Sequence, residues 1–113
     1  MYTDEELATI RFEISRPLEV ILRQIDPYHS DKDQLWDVYE ALDKQRSKLS
    51  HVVWNMPHAG EWASAYTVAY NAVDEAAQFL SFAQGAQDDE ARRGHLTTTE
   101  QHLYRAVESL TMV

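Results

Sequence analysis

The chain is 113 residues long, 44% hydrophobic and 11% aromatic, with 19 acidic against 10 basic side chains and a formal charge of -9. That length suits one domain spanning residues 1–113, with about two-thirds of the unfolded chain's surface buried, and the aromatic content argues against disorder. The acidic balance disfavours direct binding to a phosphate backbone or an anionic membrane, and the lack of cysteine excludes disulfides, thiolate zinc sites and cysteine nucleophiles.

No apolar run approaches the ~18 residues of a spanning helix, and the opening MYTDEELATI has no basic stretch followed by an apolar one. The expectation is a cytoplasmic protein. Glycine and proline are scarce, at three each, so their positions punctuate the chain. Each segment between them reads at helical period, and none alternates at strand period.

The first helix is predicted over about Asp4 to Ile25, on the stripe Leu7, Ile10, Ile14, Leu18, Ile21 and Ile25. Thr3 and Glu6 have capping-box spacing. Pro17 falls inside the stripe, where it should kink the helix or split it with Ser15 capping a second piece. The second helix is predicted over about Asp31 to Trp54, with Ser30 and Asp33 as a weaker cap. Its inner face is Leu35, Val38, Tyr39, Leu42, Leu49, Val52 and Val53.

The third helix is predicted over about Glu61 to Ala83, ending before Gly85 as the residue after the cap. Its core stripe is Trp62, Tyr66, Ala69, Val73, Ala76, Ala77 and Leu80. The fourth segment reads as two pieces: a short turn over Asp88 to Arg93 stopped by Gly94, then a helix from about Thr98 capped by Thr97 and Glu100. The expected fold is all-α, an up-down-up-down four-helix bundle, with three long helices plus a short subsidiary helix as the alternative.

Three features depart from a plain bundle. Arg46 continues the inner stripe of the second helix, so it should sit near the middle of an apolar face. A buried guanidinium needs an anion. It either binds an anionic ligand or pairs with a carboxylate such as Glu13 or Glu75. In the ligand reading Tyr39, Tyr66 or Trp62 stacks on the ligand's ring.

The second feature is aromatic. Trp36 and Trp54 lie 18 residues apart, five helical turns, and therefore share one flank of their helix. Val68, Ala72, Phe79 and Phe82 form a second apolar stripe on the third helix, and Phe12 lies off the first helix's stripe. A helix apolar on two faces is central or touches another chain. The third feature is histidine. His51 and His58, and likewise His95 and His102, are seven apart, a separation of about 10 Å along a helix that cannot clasp one ion. His29 stands by itself. No cofactor or metal is expected.

The functional expectation is a non-enzymatic protein that binds and occludes a macromolecular partner, of inhibitor, immunity, antitoxin or phage anti-host type. Trp36, Trp54, Phe79 and Phe82 would supply affinity. Asp33, Asp37, Glu40 and Asp43 would steer a protein partner with a basic surface. A homo-oligomer through the Val68, Ala72, Phe79 and Phe82 stripe is a further option. The alternative is a small-ligand binding or sequestering protein built on Arg46 and the stacked aromatics.

Overall fold

The computed structural model describes residues 1–27 and 32–112. It contains four helices: α1 (Asp4–Gln24), α2 (Lys32–Trp54), α3 (Glu61–Gly85) and α4 (Asp89–Thr111). No strand occurs among the described residues.

Local chemistry sets the helix starts. The Thr3 hydroxyl accepts from the Glu6 N–H at 3.2 Å, and the Glu6 carboxylate accepts from the Thr3 N–H at 3.2 Å, which completes the expected capping box. The cap expected at Ser30 lies outside the described residues. Gly60 precedes α3 with φ 98, a left-handed conformation that a residue with a Cβ rarely adopts. Asp88 caps α4 by accepting the Ala91 N–H at 2.7 Å.

Two breaks expected from the sequence do not occur. Pro17 sits inside an unbroken α1, and Ser15 is a buried helical residue rather than a cap. Ile14, Leu18 and Ile21 are all buried around the proline, and their burial offsets its missing hydrogen bond. Likewise α4 runs straight through Gly94. A glycine in mid-helix costs about 1 kcal/mol. Continuity places Leu96 fully in the core, and burying a leucine is worth roughly 1.5–3 kcal/mol. Thr97 is therefore not a cap; its hydroxyl donates back to the Arg93 carbonyl at 2.9 Å. At the other end of the α3–α4 turn, Gly85 is the last helical residue and Ala86 is the cap.

Each helix packs on two neighbours, α1 on α2 and α4, and α3 on α2 and α4. Cross-links between helices give the directions. The Tyr2 N–H reaches the Asn55 carbonyl at 2.8 Å, so the start of α1 lies beside the end of α2. The Ser109 hydroxyl donates to the Ala65 carbonyl at 2.8 Å, so the end of α4 lies beside the start of α3. Tyr66 donates its hydroxyl to the Leu7 carbonyl and ties the starts of α1 and α3 together. The result is the up-down-up-down bundle, with extents of 46 × 21 × 18 Å. One core runs through all four helices, with Leu7, Leu42, Leu80 and Leu103 fully enclosed.

The inner face of α2 is the expected one except at Arg46. Leu35, Val38, Leu42, Gln45, Leu49 and Val52 are buried, while Tyr39 and Val53 are half-buried. Gln45, not Arg46, occupies the inward position, and its Oε1 has no hydrogen-bond partner.

Candidate functional site

The α2/α3 seam brings together four of the residues that the sequence singles out: Tyr39, Asp43, Arg46 and Phe82. Five helical turns separate Trp36 from Trp54, and both project outward from α2, 62% and 80% exposed. Between them a groove of about 330 Å³ runs along the α2/α3 seam, lined by Tyr39, Arg46, Ala77, Gln78, Ser81 and Phe82.

Arg46 anchors this groove. One nitrogen of its guanidinium reaches Asp74 on α3 at 3.2 Å, and the other pairs with Asp43 one turn back on α2. Gln78 donates to the second oxygen of Asp74 at 3.2 Å. Burial works against the arginine's charge, but hydrogen bonds to Asp43 and Tyr39 outweigh it and hold the guanidinium's pKa above its ordinary value. The charge of Arg46 is thus already committed to two carboxylates of the chain itself. The partner is Asp74 rather than Glu13 or Glu75, because Asp74 lies on the α2 side of α3. Glu75 lies on the α4 side, 3.1 Å from His102 Nδ1.

The two sets of candidate residues partly converge. Tyr39, Arg46 and Phe82 share the groove, and Asp43 holds its arginine. Asp33, Asp37 and Glu40 are exposed on the N-terminal half of α2. Tyr66 and Trp62 are placed elsewhere. Tyr66 is fully buried, its hydroxyl is taken by the Leu7 carbonyl, and burial raises its pKa. Trp62 is half-buried beside Tyr66, with the Arg11 guanidinium 5.5 Å from its ring. Neither Tyr66 nor Trp62 can stack on a group held at Arg46, although Tyr39 lies beside it. The four residues of the small-ligand reading therefore do not form one pocket.

The second stripe of α3 is also divided. Ala72 is 3% exposed and belongs to the core, not to an outer face. Val68 lines a separate outer groove between α3 and α4 with Arg105 and Met112. Phe79 is half-buried and stacks on His102 at 5.6 Å and 19°, with Phe82 edge-on to it at 5.7 Å. His95 leans against both phenylalanines. Only Phe82, 54% exposed, reaches both this cluster and the α2/α3 groove.

Among the described residues, no three His, Asp or Glu side chains converge as metal ligands would. No described helix is long and apolar enough to cross a membrane. The aromatic pairing of Phe79 and Phe82 with His95 and His102 was visible in the sequence only as two spacings: i,i+3 on α3 and i,i+7 on α4. Antiparallel packing of the two helices was needed to join them. No protein-family model matches the chain, and no curated protein or solved structure matches it either.

Proposed function

We propose that this is a non-enzymatic binding protein that occludes a macromolecular partner through the α2 edge. The observation that carries the proposal is the exposure of Trp36 and Trp54 on one edge of one helix. The bundle encloses Leu7, Leu35, Leu42, Leu49, Leu80 and Leu103 almost completely, yet holds its two largest α2 side chains out in water. Tryptophan is strongly enriched at the energetic centres of protein interfaces. Asp33, Asp37 and Glu40 are exposed on the same half of α2 as Trp36, and this acidic stretch suits a partner with a basic face. Phe82 extends the apolar surface across the groove to α3.

An inhibitor or immunity role would follow from steric occlusion by this rigid edge. A photo-crosslinking amino acid placed at 36, 54 and, as a control, at exposed Gln101 tests the reading in the producing cell. A discrete protein adduct should form at 36 and 54 but not at 101. The association rate with the captured protein should fall by at least tenfold between low and physiological salt, the behaviour of steered encounters. Equal labelling at all three positions would remove the proposal.

A further inference from the structure

A larger groove than that at Arg46 lies on the other edge of α2, in the α1/α2 seam, with a volume of about 580 Å³. That falls within the roughly 300–1,000 Å³ of small-molecule sites. Its floor is aliphatic: Ile10 and Ile14 from α1, and Val52 from α2. Its rim carries opposite charges on opposite walls. Glu13 stands on α1, while Lys48 and His51 stand on α2. No ion pair joins Glu13 to Lys48 or His51 among the described residues. Tyr2 closes one end: its N–H is held by the Asn55 carbonyl at 2.8 Å, and its ring meets the His51 ring edge-on at 6.0 Å. Asn55 in turn donates to the His51 carbonyl at 2.7 Å, so the end wall is tied to α2.

We infer that this groove binds a small zwitterion with an apolar body, of the apolar dipeptide type. The apolar side chains lie on Ile10, Ile14 and Val52. The ammonium group faces Glu13, and the carboxylate faces Lys48 with His51 beside it. A fatty acid would satisfy Lys48 but would leave Glu13 opposite an apolar chain. A zwitterion answers both walls, and each charge-assisted contact adds orientation as well as affinity.

The test is titration calorimetry of the full chain with the dipeptide Phe-Leu, its N-acetyl form, its C-terminal amide, and octanoate. The free dipeptide should bind about tenfold more tightly than either blocked form, the effect of one charged contact each. In Glu13→Gln the preference over the N-acetyl form should vanish while the preference over the amide remains. In Lys48→Met the reverse should hold. Both side chains sit at the exposed rim, and unchanged thermal unfolding of the two variants shows that the fold is kept. Octanoate binding as tightly as the dipeptide overturns the assignment, as does millimolar or weaker binding of every probe. Equal binding of blocked and free peptides also overturns it.

Discussion

The α3/α4 pair and the α1/α2 pair are built from the same kind of amphipathic helix and pack differently. On its buried side α3 presents Ala65, Ala69, Ala72, Ala76 and Ala83, and α4 answers with Thr99 and Ala106. Small side chains let the two backbones approach, and this is the most closely packed seam in the bundle. The α1 helix presents Leu7, Ile14, Leu18 and Ile21, and α2 presents Leu35, Leu42, Leu49 and Val52. These bulky rows hold their helices apart and leave a groove of about 580 Å³ between them. The lesson is that side-chain size at the seam, not hydrophobicity alone, decides where a small bundle has room for something else.

Truncation should separate the two seams most sharply. Leu103→Ala, at a fully enclosed α4 position, should cost about 2–5 kcal/mol in urea unfolding. Ile10→Ala, at the half-buried floor of the open groove, should cost about 1 kcal/mol. Similar losses at both positions would mean that the α1/α2 seam is closed in solution.

Enlargement probes the same contrast from the opposite side. Ala76→Leu should cost about 1–3 kcal/mol, because α4 leaves no space for the added carbons. Ser47→Leu, at the exposed rim of the groove, should change stability by less than about 0.5 kcal/mol. Thermal melts of the two variants, read together, check this.

Tyr66→Phe addresses the link between the pairs. It removes the hydroxyl that α3 donates to the Leu7 carbonyl of α1, and should cost about 1 kcal/mol. The loss should appear as faster amide exchange in the first turns of α1, with α4 little changed. Uniform acceleration across all helices would count against a local tie.

The smallest effect concerns pH. Burial, with Asp26 adding to it, raises the carboxyl pKa of Glu100 on α4. Its protonated form is therefore favoured more in the folded chain than in the unfolded one. The stability that this contributes is fully present below the ordinary carboxylate pKa and is lost as pH rises through the raised value. Glu100→Gln should gain on the parent chain at neutral pH, and the gap should close on acidification. A gap that stays constant from pH 3 to 7 would contradict the raised value.

Much of the fold was legible residue by residue. The Thr3–Glu6 box and the inner stripes of α1 and α3 each depend on neighbours within a few positions; the box appears in the structure, and the stripes are buried except for half-buried Ile10 and Trp62. The candidate site was legible in part. The shared flank of Trp36 and Trp54 follows from helical period alone. Arg46 was placed one position too far inward because α2 packs on α1 and α3 at once. That two-sided packing turns Gln45 inward and sets Arg46 at the edge against Asp74. Tyr66 and Arg46 do not meet for a related reason: Tyr66 lies on the side of α3 that faces α1, whereas Arg46 of α2 meets α3 at Asp74.

Local sequence determined that there are helices, where most of them begin, and which side of each is apolar. Those properties depend on contacts between residues three or four apart. Tertiary structure decided whether Pro17 and Gly94 interrupt a helix, because the cost at each is local while the offset comes from burying Ile14, Leu18 and Leu96 against other helices. It also decided which carboxylate holds Arg46 and which seam stays open. Both depend on the rotation of one helix against two neighbours, and a turn of a single residue, 100°, exchanges the buried position for the edge.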